Sequence, residues 1–142
     1  TQYFDSDFPT AKQIIDTPKN KLKECGLSTN KLSTIIGIAN QEENEGLENR
    51  KGFEIMSDIQ IIQKLTRIKG IGEWTAQMLM IFNLGRLDIF PVGDFAIKKN
   101  YSLFKNIASP INIKDLSKIS EEWKPFRSIA AWYLWQYKLK SC

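Results

Sequence analysis

The chain has 142 residues, 42% of them hydrophobic, and carries 20 lysines and arginines against 16 aspartates and glutamates, a net charge of +4. That length and apolar content suit one domain with a true core and exclude a disordered chain. No apolar run reaches membrane-spanning length and no signal peptide is visible. Histidine is absent altogether, which removes His-dependent triads and the usual zinc sites, so acid–base work falls to Asp, Glu, Lys or Tyr. The two cysteines, Cys25 and Cys142, lack metal-ligand spacing. A bridge between them is open but unsupported, and reduced thiols in a cytosolic or nuclear compartment are expected. The basic balance permits nucleic-acid binding without demanding it.

Helical periodicity runs through the chain, and no stretch alternates as a strand does. Thr10 is positioned to cap a short helix carrying Ile14 and Ile15. Thr17-Pro18 starts another, with proline at the first helical position and Gly26 beyond its end. Ser28 opens a longer helix whose buried stripe is Leu32, Ile35, Ile36 and Ala39. Gln41 to Gly52 is polar and glycine-punctuated and reads as a loop. Ser57 and Gln60 have capping-box spacing at the start of the next helix. Glu73 to Leu84 is then helical, ended by Gly85, and Asp94 to Phe104 is another helix. Ala108 to Asn112 reads as a turn and Lys114 to Ile119 as a short helix. Ser120 is set to cap a last helical stretch, interrupted near Pro125. The sum is an all-α bundle of short helices, with no repeat and nothing that divides residues 1–142 into two domains.

Between the helix from Ser57 and the one from Glu73 lies Ile68-Lys69-Gly70-Ile71-Gly72. A tight turn between helices needs φ values that a Cβ resists, and close backbone approach to a ligand needs the same freedom. The N–H groups around Gly70, Gly72 and the first turn after them lack intrahelical acceptors and sit at a positive dipole end, which suits a phosphate; Lys69 adds charge. Such contacts position a duplex without reading its sequence. The alternative is a plain corner between two helices, packed closely through small residues. Twenty residues past Trp74, in Phe90-Pro91-Val92-Gly93-Asp94, stands a carboxylate at a helix start. Asp94 is a good N-cap in its own right, and the two roles are compatible.

The segment Ile68-Lys69-Gly70-Ile71-Gly72-Glu73-Trp74-Thr75-Ala76 resembles the hairpin of the helix-hairpin-helix DNA glycosylases, and Asp94 falls where those enzymes keep a catalytic aspartate. The resemblance is closest to their 3-methyladenine DNA glycosylase II branch. Phe8-Pro9-Thr10 with Leu27 to Lys31, Leu84 to Pro91, and Trp123 to Ser128 with Ala131 to Trp135 agree with it. It implies a base excision repair enzyme acting on double-stranded DNA with damaged bases. Lys69, Gly70, Gly72 and Thr75 would then contact DNA, and a monovalent cation would be held by backbone carbonyls of Thr66, Ile68 and Ile71. No side-chain metal site or cofactor is implied, since the iron–sulfur cysteines of some relatives are missing. Trp74 stands where two-step enzymes keep a Schiff-base lysine, so a single-step hydrolase is implied.

Breaking an N-glycosidic bond builds positive charge on the deoxyribose, and a fixed carboxylate stabilises it and orients water. An alkylated purine leaves as an already cationic group, so one carboxylate suffices. The base must be flipped out of the stack, and aromatic faces attract a cationic base. Trp74, Met78, Phe95, Trp132 and Trp135 are the pocket candidates. For the aromatics among them the competing role is core packing. Asp88 is the rival carboxylate and reads as a loop or cap residue; Glu73 is a poor catalytic candidate. The family has helices before the Phe8-Pro9-Thr10 segment. This chain opens on Thr1, so an N-terminal segment or second chain is expected to complete the domain, and without it the Leu32–Ile36 face and the last helix are expected to be exposed. Location in the cytoplasm of a prokaryote, or in a nucleus, follows from the same resemblance. Two other functions remain open: a non-catalytic module that binds DNA for a partner, and a single-step glycosylase for another lesion.

Overall fold

The computed structural model describes residues 8–137, and no strand occurs among them. The expectation that nothing divides the chain is corrected: it falls into two compact units divided between Glu73 and Trp74, directly after the Gly70-Ile71-Gly72 turn.

In the first unit, Thr10 and Gln13 form a reciprocal capping box at the start of α1 (Ala11–Asp16). Helix α2 (Lys19–Glu24) is preceded by Pro18, which takes the N-cap place rather than the first helical position. Gly26, with φ of 83°, lies beyond its end. Ser28 caps α3 (Thr29–Glu45), on which both earlier helices pack. Leu32 and Ala39 are therefore buried, while Ile35 and Ile36 are half-buried. The expected exposure of Leu32 is overturned: with α1 and α2 against it, the side chain is only 3% accessible. The expected loop over 41–52 is also corrected. Helix α3 runs on through Gln41–Glu45, and Arg50–Glu54 forms α4, capped by Asn49. Glutamates and glutamines are good helix formers whatever their polarity, and Gln41 reaches Glu45 across one turn at 2.6 Å. Polarity there marks a solvent face, not a loop. A capping box of Ser57 and Gln60 starts α5 (Asp58–Thr66), which buries Ile61 and Leu65.

The second unit is built from α6 (Glu73–Phe82), whose first residue closes the first unit, α7 (Phe95–Phe104), α8 (Ile113–Ser120) and α9 (Arg127–Gln136), with a 3-10 turn at Glu121–Trp123. Phe90, Ile97, Tyr101, Leu116 and Ala131 make its core, and Trp123 closes over Phe90 edge-on with ring centres 5.2 Å apart. Ser120 does not cap the last helix. It is buried at the end of α8, and its hydroxyl donates to the Ser117 carbonyl at 2.7 Å. Helix α9 starts without any side-chain cap, because Phe126 at its N-cap has no side-chain acceptor; the Ser128 N–H donates instead to the Leu87 carbonyl at 2.8 Å.

Candidate active site and nucleic-acid interface

The hairpin turn belongs to the first unit. Ile68 is buried, and the turn closes through the Ile71 N–H onto the Ile68 carbonyl at 3.0 Å. Gly70 has φ of 91°, and a Cβ there would lie inside the Thr34 side chain, 2.9 Å from its Cβ. Gly37, one turn further along α3, lets that helix approach the Lys69 carbonyl, which a Cβ would meet at 3.3 Å. Thr34 and Gly37 thus shape the turn, and nothing local in the hairpin sequence points to them. The expectation that both hairpin glycines serve an unusual φ is corrected. Gly72 is not among the left-handed glycines, and a Cβ on it would meet nothing within 4 Å. Folding requires glycine at 70; at 72 the protein's own packing does not.

Lys69 and Thr75 are exposed on either side of this turn's end. The carbonyls of Thr66, Ile68 and Ile71 fit a monovalent cation by donor type. Thr66 ends α5, at the negative end of the helix dipole, and the Ile68 oxygen keeps a second lone pair. Neutral backbone oxygens do not suit a thiolate- or imidazole-seeking metal, and among the described residues no cluster of three acidic or cysteine side chains could hold one.

Asp94 lies in the second unit, at the end of the loop after α6. Phe90 and Pro91 are buried, and the Asp94 N–H donates to the Pro91 carbonyl at 2.9 Å. Asp94 caps α7: its Oδ1 accepts the Ile97 N–H at 2.9 Å. Its Oδ2 accepts the Trp74 indole N–H at 2.7 Å. The spacing of twenty residues is thus closed by a direct hydrogen bond. Trp74 is 52% exposed and Phe95 67% exposed, so aromatic surface open to a ligand lies on both sides of this carboxylate in sequence. Met78 follows Trp74 by one helical turn on α6 and is half-buried.

The loop before Asp94 is fixed by the start of α9. Arg127 forks onto Asp88, Nε to Oδ1 at 2.7 Å and Nη2 to Oδ2 at 2.9 Å, and Nη2 also reaches the Asp88 carbonyl. The Ser128 hydroxyl lies 2.7 Å from the Arg86 carbonyl and accepts the Ile89 N–H at 2.9 Å, while its own N–H donates to Leu87. Asp88 is therefore a loop residue, as read, and its carboxyl is held below its ordinary value, chiefly by the hydrogen bonds from Arg127. Arg127 and Ser128 stand in one of the stretches that carry the family resemblance, and Arg86 to Ile89 in another. Their pairing explains why both matter.

The remaining pocket candidates separate. Trp135 is half-buried, packs on the core, and lies 5.6 Å from the Phe82 ring. Asn100 on α7 ties that helix to α9 by donating to the Leu134 carbonyl, next to Trp135, at 2.7 Å. Trp132 lines a different cleft with Phe82, Leu87, Ile129 and Tyr133, and none of the other four pocket candidates reaches that cleft. Cys25 is a free, exposed thiol; Cys142, and with it any bridge, lies outside the described residues.

A turn between two helices whose Gly70 is packed against Thr34 of α3, and a helix-capping carboxylate bound to an indole, are the features of a helix-hairpin-helix protein. The chain belongs to the HhH-GPD superfamily of base excision DNA repair proteins, whose family model matches residues 1–125. It is 40% identical over 137 residues to the alkylbase DNA glycosidase-like protein mag2 of Schizosaccharomyces pombe, covering 96% of this chain and 64% of that one. A solved 3-methyladenine DNA glycosylase of the same organism, in complex with abasic DNA, matches with a TM-score of 0.85 at 36% identity, covering 91% of this chain and 63% of that one. A DNA-3-methyladenine glycosidase from Bacillus halodurans matches with a TM-score of 0.77 at 31% identity, over 91% and 59% of the two chains. This chain thus spans about three-fifths of the length of these relatives.

Proposed function

We propose that the chain is the hairpin-bearing part of a single-step DNA glycosylase that releases cationic alkylated purines of the 3-methyladenine type. The observation that carries this is the Asp94 carboxylate, bound at 2.7 Å by Trp74 and at 2.9 Å by the Ile97 N–H. Asp94 stabilises the positive charge that grows on the deoxyribose as the base leaves, and orients the attacking water. The departing base carries its own positive charge, so no second acid is needed. Trp74, Phe95, Met78 and Trp135 offer it aromatic and soft apolar surface. The backbone N–H groups around Gly70 and Gly72, with Lys69 and Thr75, hold a phosphate. A monovalent cation on the carbonyls of Thr66, Ile68 and Ile71 would add positive charge beside that phosphate.

Gly72 supports the phosphate role. Its ordinary φ and open surroundings leave close approach of a ligand as the reason for a missing Cβ. Trp74 supports single-step hydrolysis, since an indole already donating to Asp94 offers no amine to C1′. Borohydride treatment during turnover is expected to trap no protein–DNA adduct; a trapped adduct would mean lyase chemistry. The decisive measurement is base release from methylated duplex DNA by the full chain and by Asp94→Asn. The asparagine still caps α7, so folding and DNA binding are expected to persist while excision drops by about 100-fold or more. Excision at the wild-type rate would remove Asp94 from the chemistry and leave a DNA-binding module.

A further inference from the structure

Asp94 opens α7, and the same helix leads into an open cleft of about 630 Å3 that shares Phe95 with the proposed base pocket but whose lysines the chemistry above does not use. Phe95 and Lys98 line it from α7, Lys114 and Lys118 from α8. Phe95 and Lys98 stand three apart and Lys114 and Lys118 four apart, so each pair shares one helix face. None of the three lysines makes an ion pair among the described residues. The one carboxylate in the cleft, Asp115, already accepts the Asn112 side-chain amide at 2.7 Å. A cleft of this volume is roughly 9 Å across, comparable to the Debye length at physiological salt, so the three ammonium charges and the Asp115 carboxylate act together and leave the cleft net positive. Like charges four apart on a helix, as Lys114 and Lys118 are, destabilise it slightly.

We propose that this cleft is a second phosphate-binding surface, which holds the backbone of the DNA strand that runs past Asp94. Two observations favour a nucleic-acid strand over a free anion or an acidic protein. An exposed aromatic ring stands among the cations, the combination that grips a strand by base or sugar as well as by phosphate. The cleft also begins one residue after the carboxylate, where a strand with one nucleotide flipped toward Asp94 would continue. Its function is to fix the flanking backbone so that the flipped sugar is presented to the carboxylate. The proposal rests on the DNA-processing function above.

The test is the salt dependence of binding to a short duplex carrying one abasic-site analogue. It compares the wild-type chain, the triple variant Lys98→Gln, Lys114→Gln, Lys118→Gln, and a control with the same charge change, Lys12→Gln, Lys19→Gln, Lys23→Gln, on exposed positions of α1 and α2. Each phosphate contact contributes about 0.9 to the slope of log affinity against log salt. The cleft variant is expected to lose about 2 to 3 in slope and at least tenfold in affinity near 0.1 M salt. The control should keep the wild-type slope, and the triple lysine-to-arginine variant should restore it. A cleft variant with the wild-type slope, or a control that loses as much, overturns the proposal. A wild-type chain that binds the duplex but releases no base removes the glycosylase reading and leaves the cleft readable. One that binds no duplex removes both.

Discussion

Replacing Trp74 by phenylalanine keeps an aromatic ring beside Asp94 and deletes one atom that matters, the indole N–H that donates to Oδ2 at 2.7 Å. A hydrogen bond to a charged acceptor contributes about 1.5–3 kcal/mol when shielded from water. Trp74 is half exposed, so water competes for the same oxygen and the lower end applies, about 1.5 kcal/mol, or roughly tenfold in rate. The loss falls on the chemical step if the indole fixes the carboxylate for charge stabilisation, because orientation counts most where charge develops. Single-turnover base release from methylated DNA at saturating enzyme reads that step, and a parallel titration with uncleaved duplex reads binding. Trp74→Phe is expected to slow release about tenfold with duplex affinity unchanged. Release at the wild-type rate would show that the Ile97 N–H alone positions Asp94. A loss confined to binding would make Trp74 a contact to the base and not a holder of the carboxylate.

The two hairpin glycines are expected to respond oppositely. Gly70→Ala puts a Cβ at φ of 91° into Thr34 and should destabilise the first unit by about 1–3 kcal/mol in denaturant melts. Gly72→Ala meets open space and should leave stability equal or slightly raised, yet weaken binding to all duplex sequences alike; unchanged binding would remove Gly72 from the phosphate site. Arg127 holds the Asp88 carboxyl below its ordinary 3.8, so the stabilisation is complete above the unfolded-chain value, throughout the neutral range, and is lost as pH falls through the lower folded value. Asp88→Asn is therefore expected to melt below the wild type at neutral pH, with the gap closing under strong acid. A gap independent of pH would mean that the fork acts through geometry alone.

What was legible in the sequence was local. Thr10 with Gln13 and Ser57 with Gln60 announce their helices because a capping box is a four-residue event, and Gly26 and Gly85 end theirs at positive φ. Asp94 reads as a cap for the same reason. Elements fixed by long-range contact were not legible. Gln41 to Glu45 is a different case: its helix propensity is local, and polarity alone makes it read as a loop. Ser120 looks like a cap until it is seen buried at the end of α8. The grip of Thr34 on Gly70 joins residues 36 positions apart, and the Arg127–Asp88 fork joins residues 39 apart; neither has a local signature. The Trp74–Asp94 pair lies between these cases. Its spacing is visible through the family resemblance, but the hydrogen bond follows only from how α6 and the Asp94 loop fold.

The loop after α6 carries two carboxylates, and the structure treats them in opposite ways. Asp88 faces a guanidinium on two oxygens and its own carbonyl, so its charge is cancelled where it stands. Asp94 makes no ion pair among the described residues. Its two oxygens are held instead by neutral donors, a backbone N–H and an indole N–H. Neutral donors fix orientation without a full countercharge, the α7 N-terminus adding only a partial positive one, and each oxygen retains lone pairs for a water or a sugar. A carboxylate kept immobile, partly exposed and without an ion-pair partner suits the proposed role, in which the cation exists only during reaction. This is the requirement set by an oxocarbenium-like sugar. The Arg127 fork holds the same loop and keeps its own positive charge occupied at Asp88, six residues from Asp94.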